Sequence, residues 1–177
     1  MAVAGITINV RGINEAVDRL NRITRSIPDK MHTLCTKLAE MGLNDMSVNF
    51  RTAVYDGTPD VRIGNPMWVS DNVLEIPVTG HTVAFIEFGT GVHFADDHPR
   101  AEAMGAIRGE YGHHQGRKDS WKYRGDPGSA GWYNSPKERA RGIVTTHGNP
   151  ANAVMYNAAK QMRARILETA RSVFADD

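Results

Sequence analysis

Toward the C-terminal end, Val154 and Met155, Ala158, Met162, Ile166, Ala170, and Val173 with Phe174 recur three or four residues apart. That period puts them on one face of a long helix. A face of this length has to be covered, so the rest of the chain must supply a second layer for it. The helix is expected to open at His147-Gly148-Asn149-Pro150, with Asn149 as its cap and Pro150 at its first position. It should stop near Phe174, because Asp176 and Asp177 oppose the helix dipole.

The N-terminal third carries the same period. ITINV at 6–10 alternates and predicts a short strand, with a turn at Gly12. Ile13, Ala16, Val17, Leu20, Ile23 and Ile27 then fall at helical spacing, and Glu15–Arg19 and Asp18–Arg22 are acid-first pairs four apart. Those paired acids make Arg19, Arg22 and Arg25 a solvated face and not a binding stripe. Ser26-Ile27-Pro28-Asp29 reads as a new helix start. Met31, Leu34, Leu38 and Met41 carry this second helix to about Phe50, with Cys35 on the same face as a small core residue.

Asp56-Gly57-Thr58-Pro59 is a strong turn, and strand chemistry follows it. Val61–Ile63 is one short candidate. Met67–Val69 and Val73–Val78 flank a hairpin loop at Ser70-Asp71-Asn72, with Pro77 at a sheet margin. The apolar run from Thr82 to Phe88 reads as a central strand covered on both sides. The expected fold is therefore α+β: a small antiparallel sheet packed with two N-terminal helices and a long C-terminal helix. The length of 177 residues suits one domain, 1–177. Residues 92–148 show no sustained period but many glycines, five of seven histidines and two of three tryptophans. They read as an extended loop inserted in that domain, ordered by lying on something.

Glu87 sits inside the apolar run, where burial is costly unless the carboxylate has partners. It is expected to anchor the Gly89-Thr90-Gly91 turn by accepting from the glycine N–H groups, and not to act as a general acid, since no base or second acid is placed beside it locally. The glycines match no phosphate-loop motif. His93 and His98 bracket Asp96 and Asp97, and His113, His114, Asn134 and His147 follow. Zinc chemistry or a nuclease could use such residues, but H-E-x-x-H is absent, and no metal or other cofactor is expected. Arg117, Lys118, Lys122 and Arg124 interleave with Trp121 and Tyr123, a pattern open to nucleic acid. Glu110, Asp119 and Asp126 lie among them, and a protein interface fits the same residues: His93, Tyr111, Trp121, Tyr123 and Trp132.

The formal net charge is +1, which announces neither nucleic acid nor an anionic membrane as partner. One cysteine cannot form an internal disulfide. The start MAVAGITINVRG lacks the basic and apolar regions of a secretory signal, and no stretch is apolar enough to span a membrane.

Four stretches, AVYDGTPDVRI, VAFIEFGTGVHF, GEYGHHQGRKDSWKYRG and THGNPANAVMYNAAKQMRARILETARSVF, together resemble the bacteriophage tail-completion family, the minor head–tail joining proteins of long-tailed phages. The resemblance runs from about residue 10 to residue 174. It rests on the order of E-F-G-T-G, W-x-Y and H-G-N-P-A-N; the histidine pair and 126–142 depart from the pattern. It implies a non-enzymatic virion protein of the neck, assembled in the host cytoplasm as a ring of copies around the DNA channel. The implied neighbours are the head-connector or stopper protein and the tail-tube or tail-terminator protein. DNA would pass without specific recognition. The alternatives are a tail-terminator role on a similar fold and a small metal-dependent nuclease or hydrolase using the loop histidines.

Overall fold

The computed structural model describes residues 10–95, 98–105, 120–128 and 131–175. Helix α1 spans Val10–Thr52 and contains Pro28. It is 43 residues long, or about 64 Å at 1.5 Å per residue. The two expected N-terminal helices are thus one. Pro28 costs one backbone bond, but the apolar spacing runs through it without a break, from Leu20, Ile23 and Ile27 to Met31 and Leu34. The Ser26 hydroxyl bonds the Ile23 carbonyl (2.9 Å) and does not cap a new helix. Val10 and Gly12, assigned above to a strand and a turn, lie in α1; residues 1–9 fall outside the described residues.

Six short strands follow: β1 (Arg62–Ile63), β2 (Met67–Ser70), β3 (Val73–Glu75), β4 (Val78–Thr79), β5 (Trp121–Arg124) and β6 (Ile143–Thr146). They pair antiparallel as β1–β4, β2–β3 and β5–β6. The fold is α+β, with three two-stranded ladders in place of a single central sheet. The hairpin at 70–72 is present. The Val73–Val78 strand is divided at Ile76-Pro77, which lets β4 leave β3 and join β1.

Thr82–Phe88 is not a strand. Val83–Phe88 forms the short helix α2. A brief apolar run gives strand and buried helix the same signature, and here its length did not arbitrate. Before α2, Asp60 accepts from the backbone N–H groups of His81 and Thr82 (both 2.8 Å) and from the Thr82 hydroxyl (2.7 Å). These bonds, the hydroxyl's first, hold its carboxyl well below the ordinary range. A lowered folded value means the contribution is complete in neutral solution and lost in strong acid. Asp60→Asn is expected to lose less stability than the parent between neutral solution and strong acid; equal losses in thermal unfolding would refute this.

The remaining helices are α3 (Pro136–Ala140) and α4 (Val154–Phe174). The expected 92–148 loop contains the β5–α3–β6 unit and one-turn 3-10 helices at Gly91–His93 and Glu102–Met104. Trp121 and Tyr123 are half-buried while Lys122 and Arg124 are exposed, so the aromatic–basic interleaving is strand alternation. Lys122 bonds Glu138 on α3 (2.6 Å).

Helices α1 and α4 pack antiparallel. Met46 and Phe50 meet Val154 and Ala158 in the core with Ile86. Gly42 faces the Met162 sulfur, and Asp45 pairs with Arg165 (2.9 Å). The Lys30 ammonium lies over the Phe174 ring at the far end of α4 (5.6 Å). Everything in α1 before Lys30 therefore runs past the end of α4, an overhang of about 30 Å.

Candidate functional site: the Glu87 junction and its cleft

The first turn of α4 has no side-chain cap of its own. Its preceding residue, Ala153, is a left-handed alanine (φ 47°). Its N–H groups are capped from far away in sequence. Glu87 Oε2 accepts from Met155 N–H (2.8 Å), and Oε1 accepts from Tyr156 N–H (3.0 Å). A carboxylate at a helix N-terminus satisfies orphan donors and complements the dipole. Glu87 is thus an anchor, but for the start of α4 and not for the glycine N–H groups.

His98 completes the junction. Its Nε2 lies 3.0 Å from Glu87 Oε1, with the two side chains 1% and 3% exposed. Arg100 N–H donates to His98 Nδ1 (3.2 Å). That leaves the ring proton on Nε2, where it donates to Glu87. Phe88 and Tyr156 flank the imidazole at 4.4 and 5.8 Å between ring centroids. The carboxylate spends both oxygens on these donors. What the arrangement can do is hold three elements in register.

Asn149 and Pro150 do not start the helix. Asn149 uses its backbone carbonyl for Thr90 N–H (2.9 Å) and its side-chain oxygen for Asp56 N–H. Its own N–H donates to the Thr90 hydroxyl (2.8 Å). These long-range partners outcompete the local cap, and α4 begins at Val154. Asn152, which the sequence reading passed over, exchanges two bonds with the backbone of Val54 (2.8 and 3.1 Å). Its backbone N–H also donates to Ile86 O (2.9 Å). The H-G-N-P-A-N stretch is a clasp that ties the exit of α1 to 86–90. The signal for it was the pair of asparagines three apart, each able to mimic a backbone unit.

Gly89, Thr90 and Gly91 pass through this clasp. Thr90 is buried. Gly91 faces the Trp121 ring, where a Cβ would come within 2.3 Å. Gly148 crosses directly over Thr90: its φ is 93°, and a Cβ would lie 2.0 Å from the Thr90 carbonyl oxygen.

The expected interface residues separate. Trp121 and Tyr123 line a cleft of about 440 Å³ beside the clasp. Trp132 bonds Thr145 as a bridge on β6, donates its indole N–H to Asn134 (2.7 Å), and packs on His147 at 5.1 Å. Asn134 and His147 thus support a tryptophan. His93 sits half-buried in its one-turn helix, and Tyr111, with His113 and His114, lies outside the described residues. No group of three or more histidine, cysteine, aspartate or glutamate side chains among the described residues could hold a metal. Among them too, no helix is long and apolar enough to cross a membrane. No family model, curated protein or solved structure matches this chain.

Proposed function

We propose that the chain is a structural protein of a bacteriophage neck. It completes the tail and joins it to the head connector as one subunit of a ring around the DNA channel. The family rests on the resemblance carried by E-F-G-T-G, W-x-Y and H-G-N-P-A-N. The observation that supports assembly is the apolar surface left open. On the α1 overhang Ile13, Val17, Leu20 and Ile27 are 43–62% exposed, and Met31 just beyond it is 44% exposed. His32 stacks on Trp68 (4.2 Å), which seats the β2–β3 hairpin beside the foot of that overhang. The hairpin exposes Met67, Trp68, Val69 and Val73 in turn. An apolar groove of about 570 Å³ continues the face between α1, β3 and α4. Apolar surface this continuous marks a protein interface. An overhang of some 20 residues is also only marginally helical by itself in water, so burying its stripe against a neighbour stabilises it.

The double substitution Leu20→Asp with Ile27→Asp tests this. Both side chains are exposed in the single chain, so the variant should stay folded by circular dichroism while light scattering reports a shift from oligomer to monomer. A parent chain that stays monomeric at high concentration, or a variant that assembles like the parent, overturns the assembly reading. In phage lacking the protein, tailless heads beside free tails support the joining role. Tails of uncontrolled length assign the terminator role instead.

A further inference from the structure

The cleft beside the clasp has a chemistry that the assembly reading does not use. Its walls are the rings of Tyr55, Phe85, Trp121 and Tyr123, and its charged groups are Asp56 and Asp126. Among the described residues lining it there is no lysine, arginine or histidine. Strand alternation is the reason: β5 turns Trp121 and Tyr123 inward and sends Lys122 and Arg124 to the other face. The Trp121 and Tyr123 rings stand 5.7 Å apart and 34° from parallel, making one broad aromatic wall. Electron-rich ring faces attract cations, most strongly where water is partly excluded. Two carboxylates at the same cleft add to that attraction.

The cleft's own phenols register this field. Burial, then Asp60 and Asp56, pushes the Tyr55 hydroxyl above its ordinary value. Burial, then Asp56, Tyr55 and Asp126, does the same to Tyr123. Burial, the larger cause, penalises charge of either sign, while the aspartate contributions favour a cation.

We propose that this cleft binds an arginine side chain presented by a neighbouring polypeptide. The guanidinium plane stacks on the Trp121–Tyr123 wall while its N–H groups donate to Asp56 and Asp126. Arginine fits better than lysine because a flat, weakly hydrated fork can stack and bond at once, whereas an ammonium is a strongly hydrated point charge. The volume suits one side chain and its flanking backbone and not a folded element. Nucleic acid is disfavoured at this position, because the carboxylates repel phosphate and the strand's cations face away.

The test is calorimetric titration of the full chain with N-acetyl-arginine amide. N-acetyl-lysine amide, tetramethylammonium and N-acetyl-leucine amide serve as comparators. Trp121 emission is taken as the difference from Trp121→Phe. The expected result is saturable millimolar binding of the arginine probe that perturbs Trp121, weakens with salt, and falls about ten-fold in Asp126→Asn. Asp126→Asn keeps an oxygen for the Gly128 N–H that Asp126 now accepts (3.0 Å). Should that variant fail to fold, Asp56→Asn gives the same reading. Tetramethylammonium or the lysine probe binding as tightly as arginine would reassign the cleft to small cations and overturn the proposal. So would the absence of saturable binding, or binding indifferent to both aspartate substitutions.

Discussion

Glu87→Ala is expected to cost at least about 3 kcal/mol of folding stability, because it leaves several donors without an acceptor. The substitution strands three donors at once: the N–H groups of Met155 and Tyr156 and the Nε2 proton of His98. Each buried, unsatisfied donor costs about 1–3 kcal/mol. Water cannot easily replace the carboxylate, because Phe88 and Tyr156 pack over the imidazole. Glu87→Gln keeps the shape and one acceptor but turns an NH2 toward an N–H, so its loss should lie between those of the parent and the alanine variant. Urea unfolding followed by circular dichroism measures both. A Glu87→Ala midpoint equal to the parent's would refute the anchor.

Gly148→Ala comes next in size. The added methyl meets the Thr90 carbonyl oxygen at 2.0 Å; the methyl is fixed directly to the backbone and the carbonyl is part of it, so neither can rotate away. The left-handed φ of 93° adds strain of its own. Strain of about 1–3 kcal/mol and overpacking of about 1–3 kcal/mol together predict a loss of roughly 2–6 kcal/mol. Gly142→Ala is the internal control. Its φ is 61°, also left-handed, but nothing lies within 4 Å of the new methyl. It should lose only the conformational part, about 1–2 kcal/mol. Thermal unfolding of the two variants separates crossing from conformation; equal losses would show that the close crossing carries no weight.

The sequence shows some of this fold and hides the rest for definable reasons. The α4 stripe, the 70–72 hairpin and the α+β class are local patterns and are readable as such. Glu87 stood out because a lone acid in FIEF needs partners, yet two of them are 68 and 69 residues away and the third, His98, is 11 away on the far side of a glycine turn, at no regular spacing. Helix α2 looked like a strand because six apolar-rich residues span fewer than two helical turns, too few for the period to repeat. Asn149 looked like a cap because cap and clasp use the same side-chain oxygen; only the docked exit of α1 decides between them. Pro28 suggested a boundary because its local cost is visible and the continuity of the stripe around it is a longer-range property. The cleft was half legible: W-K-Y-R was noticed for its aromatics and cations, but the two lie on opposite faces of β5.

Thr90 and Asn149 are bonded to each other, so the two ends of everything between them are pinned at one point of the core. A segment with fixed, adjacent ends is interchangeable. Doubling its length would add only about 0.6 kcal/mol of closure entropy. The junction therefore divides the chain into a frame of fixed geometry and a cassette. Exchange of the cassette beyond His98 would leave Glu87, His98 and the two asparagines holding the frame unchanged.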